Sequence, residues 1–147
     1  MEMELFDLDT AARWSKGALK EGDPDLNIRG VSIDSRTVGS GELFIAIRGE
    51  RLDGHDFVRE ALDQAAGAGM VEEDQDLPRL GAAGVIRVED CRQGLAELAR
   101  NYFHTLGSRS VAITGSNGKT TAKHLAGRIV SRKLSAVTAP ASYNNLL

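Results

Sequence analysis

The stretch Val111-Ala112-Ile113-Thr114-Gly115-Ser116-Asn117-Gly118-Lys119-Thr120-Thr121 decides how this chain is read. Ser110 to Ile113 is short, apolar and β-branched, which predicts a buried strand. Gly115 and Gly118 then bracket a turn, and Lys119 opens a helix whose apolar residues Ala122, Leu125, Ala126, Ile129 and Val130 recur at helical spacing. Strand, glycine turn and helix start, in that order, are the layout of a nucleotide phosphate site. Glycines let the backbone approach a polyanion, and N–H groups at the helix start point at it. In such a site Gly115, Ser116, Asn117 and Gly118 form the backbone cradle. Lys119 sets a point charge against the outer phosphates, and the Thr120 hydroxyl ligates the bridging Mg²⁺. Thr121 reads as a helix-start hydroxyl beside them. The strict pattern G-x-x-x-x-G-K-[ST] asks for glycine where this chain has Ile113. The bland alternative is a strand–turn–helix with an exposed lysine.

The charge distribution favours the nucleotide. The last carboxylate is Glu97: residues 1–97 carry 11 basic and 21 acidic side chains, whereas residues 98–147 carry 7 basic and none acidic. A segment of that sign suits a polyanionic ligand. No aromatic residues are interleaved with the basic ones for base stacking, so nucleic acid fits less well. A length of 147 residues with 41% apolar content allows one ordinary domain or two small ones. No apolar run approaches a membrane span, and the start Met1-Glu2-Met3-Glu4 lacks the basic region of a secretory signal, so the expected location is cytoplasmic. The single cysteine, Cys91, excludes an internal disulfide and reads as a packed residue at a helix start.

In chain order, a helix is expected over Phe6–Ala18, capped by Asp9 or Thr10, with Ala11, Ala12, Trp14 and Leu19 on its apolar side. Strands follow at Ile28–Ile33 and Leu43–Ile47, then a polar loop from Arg48 to His55 and a helix over Phe57–Ala66. Met70-Val71 starts a short strand, and Glu72-Glu73-Asp74-Gln75-Asp76 reads as a solvated acidic loop. After the strand Val85–Val88, Asp90 caps a helix with the stripe Leu95, Leu98, Ala99, Tyr102, Phe103 and Leu106. Ser135–Thr138 is expected as a strand, with the helix from Lys119 as the crossover between two parallel strands. Two strands leave a parallel sheet unfinished, so residues 89–147 read as the opening of a larger domain.

Five stretches in fixed order resemble the Mur ligase family, the ATP-dependent amide-forming enzymes of peptidoglycan precursor synthesis. They are Val31-Ser32-Ile33-Asp34-Ser35-Arg36, Gly41 through Gly49, Asp53-Gly54-His55-Asp56-Phe57, Thr114 through Thr121, and Tyr143-Asn144-Asn145. The family's phosphate loop is T-G-[ST]-x-G-K-T, which accommodates Ile113. Lys123 and the pair Asn144-Asn145 are similar to the branch that adds D-alanyl-D-alanine to UDP-N-acetylmuramoyl-tripeptide. Thr138-Ala139-Pro140 loosely echoes the branch that adds the third peptide residue. The resemblance implies an α/β chain: a UDP-sugar substrate domain over residues 1–88, then the first part of a phosphate-loop, parallel-sheet ATP-binding domain over 89–147. It implies ATP and Mg²⁺ as cofactors. Gly115 through Thr121 would be the nucleotide site, with Lys119 and Thr120 catalytic and Thr120 the metal ligand.

Ser35, Arg36, Asp53, His55, Asn144 and Asn145 would contact the UDP-linked substrate. Plainer readings pair Arg36 with Asp34 and make Asp53-Gly54 a turn. A monomer is implied at full length, with no membrane insertion and no nucleic-acid partner. The implied reaction phosphorylates the tripeptide carboxylate and lets the amine of D-alanyl-D-alanine attack the acyl phosphate. The chain reads as a front portion that does not complete this reaction alone. Two other readings are a non-catalytic module that holds UDP-linked precursors, and an unrelated phosphate-loop ATPase with an α/β leader.

Overall fold

The computed structural model describes residues 5–76 and 83–139. It divides into two compact units, with the division after Leu106.

The first unit is built on alternation. β1 (Phe6–Asp7) pairs antiparallel with β3 (Asn27–Ile28) as a small separate sheet. Four strands run parallel in the main sheet: β4 (Gly30–Ser32), β5 (Glu42–Ile45), β6 (Ala68–Glu72) and β7 (Gly84–Val88). β2 (Ala18–Glu21) adds antiparallel to β7, giving the order β2-β7-β6-β5-β4. Successive side chains point to opposite faces of a strand, and here both faces are apolar. Leu43, Ile45, Met70, Ile86 and Val88 face α1 (Leu8–Trp14) and α3 (Cys91–Thr105), where Leu8, Ala11, Ala12, Cys91 and Leu98 are buried. Phe44, Val71 and Val85 face α2 (Val58–Gln64), which buries Val58 and Ala61. A parallel sheet covered on both faces is the stable arrangement for such strands.

Three expectations are corrected in this unit. The first helix runs only from Leu8 to Trp14, with Asp7 as its cap: Asp7 Oδ1 accepts the Thr10 N–H at 2.7 Å. Lys16 then takes a left-handed backbone (φ 58°) and Gly17 lies against the sheet, where a Cβ would come within 2.7 Å of the Arg87 carbonyl. That close approach turns Ala18–Glu21 into a strand. The acidic run is not wholly solvated, because Glu72 is the last residue of β6 and its side chain is only 13% exposed. The helix opened by Asp90 belongs to the first unit rather than to the start of the second. Asp90 does cap it, accepting the Gln93 N–H at 2.8 Å. Its contacts are with α1 and β6, within the compact unit that runs to Leu106.

Among its described residues the second unit has one helix, α4 (Lys119–Val130). The strands expected at Val111–Ile113 and Ser135–Thr138 do not form. Parallel strands are stable where both faces are covered, and none of the described residues of this unit is buried. Val111 is 85% and Ile129 68% exposed.

Ile86→Ala, at a fully buried position in the middle of β7, is expected to lower the unfolding free energy of the first unit by about 2–5 kcal/mol. Ile129→Ala is expected to change it by less than about 0.5 kcal/mol. Urea titration followed by Trp14 fluorescence compares the two.

Candidate functional site

Two polar sites stand out, one in each unit. In the second, Gly118 has left-handed geometry (φ 76°) and Gly115 an extended positive φ of 150°. A Cβ at Gly118 would meet nothing within 4 Å, so glycine is required there by backbone conformation and not by crowding. Gly118 heads α4 and provides no side-chain cap. The first N–H groups of a helix have no intrahelical acceptor, and no carboxylate lies in this helix's first turn. Lys119 Nζ folds back over the loop, donating to the carbonyls of Gly115 and Ser116. The structure therefore brings Gly115, Ser116, Asn117, Gly118 and Lys119 together as one loop with the ammonium across it. Its residues fit a nucleotide phosphate chain: an open approach for a polyanion, helix N–H donors and a cation laid across the loop. Thr120 and Thr121 follow in the first turn. A separate groove of about 430 Å³ runs along α4, lined by His124, Gly127, Arg128 and Thr138, and includes none of the loop residues.

In the first unit, parallel pairing places the ends of β4, β5 and β6 on one edge of the sheet, the edge where α/β folds bind ligands. After β4, Ser35 is buried and its Oγ lies 3.5 Å from Glu60 Oε2. Arg36 forks onto Asp34, with Nε–Oδ1 at 2.9 Å and Nη2–Oδ2 at 2.7 Å. Hydrogen bonds from the Arg36 side chain and N–H hold the Asp34 carboxyl at about 2. The plainer pairing of Arg36 with Asp34 is thus the one adopted.

After β5 the chain makes a small hairpin. Gly49 N–H donates to the Leu52 carbonyl at 2.9 Å, and Gly54 N–H to the Ile47 carbonyl at 3.0 Å. Asp53 caps the following short 3₁₀ turn through the His55 N–H at 3.0 Å and also contacts His55 Nδ1 at 2.6 Å. His55 is buried, and its Nε2 accepts the Glu72 N–H at 3.1 Å. This network selects the neutral tautomer with the proton on Nδ1, and both ring nitrogens are engaged within the fold. Arg48 donates to Asp53 at 3.0 Å and pairs with Glu72 at 3.1 Å. Burial pushes the Asp53 carboxyl up, but hydrogen bonds from His55 and Arg48 outweigh it and hold it at about 2. A cleft of about 380 Å³ opens beside this hairpin, lined by Arg48, Gly49, Glu50, Glu72, Asp90 and Arg92.

Arg48, Glu72 and Arg92 are not among the site residues expected from the sequence. Arg48 had a local signal, a charge directly after a buried strand. Glu72 was hidden in an acidic run, and Arg92 in a helix face. Asn144 and Asn145 lie outside the described residues. Cys91 is buried at the start of α3 and its thiol is pushed up to about 12 by burial, so it packs as expected. Among the described residues no group of His, Cys, Asp and Glu could hold a metal, and no helix is long and apolar enough to cross a membrane.

A parallel sheet with a polar hairpin at its carboxyl edge, followed in the chain by a glycine loop heading a helix, places the chain in the α/β class. Residues 27–103 match the sequence profile described as "Mur ligase family, catalytic domain". This chain belongs to the Mur ligase family. It is 37% identical over 119 residues to the UDP-N-acetylmuramoyl-tripeptide–D-alanyl-D-alanine ligase of Bacillus subtilis, covering 80% of this chain and 26% of that protein. It is 41% identical over 105 residues to the UDP-N-acetylmuramoyl-L-alanyl-D-glutamate–2,6-diaminopimelate ligase of Aquifex aeolicus, covering 70% and 21%. Among solved structures, MurF from Acinetobacter baumannii superposes with a TM-score of 0.77 at 29% identity, over 90% of this chain and 29% of that one. MurF ligase from Thermotoga maritima in complex with ADP gives 0.62 at 34% identity, over 78% and 26%. The chain spans about a quarter of the length of these relatives.

The Asp53 carboxyl sits below its ordinary value of 3.8 in the folded chain. Its contribution is therefore complete above pH 4 and is lost as pH falls towards 2. Asp53→Asn is expected to flatten the loss of stability over that interval, read as the urea midpoint against pH.

Proposed function

We propose that the chain serves an ATP-dependent ligase that adds D-alanyl-D-alanine to UDP-N-acetylmuramoyl-tripeptide in the cytoplasm. The first unit holds the UDP-linked substrate and the second grips the nucleotide. The observation that carries this reading is the left-handed Gly118 placing Lys119 and an open helix start over Gly115 and Ser116, in a chain of this family. ADP in the Thermotoga maritima structure supports the nucleotide.

Gly115 through Gly118 would cradle the phosphates with backbone N–H groups, Lys119 would meet the outer phosphates, and Thr120 would hold Mg²⁺. Bound Mg-ATP supplies the phosphoryl group that activates the tripeptide carboxylate as an acyl phosphate for the incoming amine. Two anions must meet in that step, so concentrated positive charge is the protein's main contribution. Ser35, Arg36 and the hairpin around Asp53 and His55 face the UDP-linked substrate, with Asn144 and Asn145 as further contacts. The complete enzyme acts as a monomer, without nucleic-acid partners.

A second reading, addition of 2,6-diaminopimelate as the third peptide residue, is favoured by the 41% identity to the Aquifex aeolicus ligase. The two differ in the amine accepted. In a family-length protein carrying this chain, phosphate release that depends on D-alanyl-D-alanine supports the first reading, and release that depends on the diamino acid supports the second. Lys119→Ala in the same protein is expected to weaken Mg-nucleotide binding at least about tenfold, the scale of one lost charge-assisted contact, while leaving UDP binding unchanged in calorimetry. Undiminished nucleotide affinity would remove the phosphate-loop assignment.

A further inference from the structure

Four residues in the first unit form a closed polar ring. The Glu72 carboxylate accepts from Arg48 Nη2 at 3.1 Å. Arg48 Nε donates to Asp53 Oδ2 at 3.0 Å, and Asp53 Oδ1 contacts His55 Nδ1 at 2.6 Å. His55 Nε2 then accepts the backbone N–H of Glu72 at 3.1 Å, closing the circuit on the residue where it began. Two outer supports hold it. Arg87 Nη1 donates to the carbonyls of Glu72, Glu73 and Gln75 at 3.3, 3.1 and 2.8 Å, fixing the end of β6. Arg92 Nη2 donates to the Arg48 carbonyl at 2.9 Å, tying the hairpin to α3.

The hairpin itself needs little of this to close, since Gly49 and Gly54 already make its backbone hydrogen bonds. The ring instead fixes where its tip stands. Glu50, Arg51 and Leu52 are exposed, Leu52 by 68%. An exposed tip with few buried contacts samples many conformations unless its base is fixed, and a ligand that meets a disordered tip pays to order it. Charge-assisted hydrogen bonds in a partly buried ring are the strong kind, and a closed ring reinforces each member.

We propose that Glu72 is a positioning residue for nucleoside-diphosphate binding: through its carboxylate on Arg48 and its N–H on His55 it holds the Arg48–His55 hairpin in one geometry beside the cleft. This rests on the reading of the first unit as the UDP-sugar unit. Glu72 also lines the cleft, but its proposed role is to hold the hairpin. Glu72→Gln keeps the size of the side chain and the N–H to His55 but removes the charged partner of Arg48. Arg48→Gln breaks the same link from the other side and the Arg48–Asp53 link with it.

The test is calorimetric titration of the 147-residue chain with UDP, with thermal melting of each variant alongside. Glu72→Gln is expected to weaken UDP about tenfold and Arg48→Gln at least as much, and the double variant by no more than Arg48→Gln alone, because that change already removes the Glu72 link. Purely structural residues would lower the melting temperature and leave UDP affinity as it was. Wild-type affinity in Glu72→Gln, or additive weakening in the double variant, overturns the inference while leaving the UDP reading in place. A wild-type chain that does not bind UDP overturns that reading and the inference with it. Should Glu72→Gln fail to fold, Arg48→Lys decides: lysine cannot fork between Asp53 and Glu72, and an unchanged UDP affinity in that variant overturns the proposal.

Discussion

The register of β6 against its neighbours governs the first unit. Ala68–Glu72 pairs with Gly84–Val88 along its whole length, and Ala68–Met70 with Leu43–Ile45. Because these strands are parallel, their carboxyl ends share one edge, and the segments that leave them are polar. A slip of one residue would turn Met70 towards α2 and Val71 towards α1 and α3. It would also carry the Glu72 carboxylate away from Arg48 and its N–H away from His55. The apolar packing and the polar ring are therefore set by the same pairing. Both faces of the sheet must be satisfied before the edge has a defined shape.

The second unit depends on a different constraint, the backbone of Gly118. Its positive φ lets the chain enter α4 with no side chain at the cap position. A Ser or Asp cap would satisfy the first N–H groups internally. Glycine leaves them directed outward, and the absence of any carboxylate after Glu97 leaves the surrounding charge positive. Lys119, lying on the loop carbonyls, holds the charge near the place where a phosphate oxygen would take it. Loop shape and charge balance agree, and each alone would be a weak sign of a nucleotide.

Much of this was readable in advance where the signal is local. The apolar runs in Leu43–Ile47 and Val85–Val88, the stripe of the helix from Cys91 and its Asp90 cap all depend on neighbours within a few positions. What was missed depends on distance. The end of α1 is set by Gly17 pressing against the Arg87 carbonyl, a contact seventy positions away, and Lys16 adopts a backbone usually left to glycine. The strands expected at Val111–Ile113 and Ser135–Thr138 have the right composition, but β propensity is realised only where a sheet surface is present to pack against. Of the candidate site, the glycine loop was legible because its chemistry is contiguous. Asp53 and His55 were legible as polar loop residues, but their joining to Arg48 and Glu72 was not, since it crosses from β5 to β6. Arg36 shows the converse: its nearest carboxylate, Asp34, is two residues away, and the short-range pairing prevails.

On the proposed function, the carboxyl edge of the parallel sheet receives the UDP portion of a sugar-nucleotide substrate, while the glycine loop serves a different nucleotide. Amide chemical shifts of the isotopically labelled chain, followed during titration with UDP, test it most directly. The account predicts saturable shifts concentrated at Ser35, Arg36 and Gly49–His55, with Gly115–Thr121 unmoved. Shifts confined to Gly115–Thr121, or none at the strand ends, would contradict it.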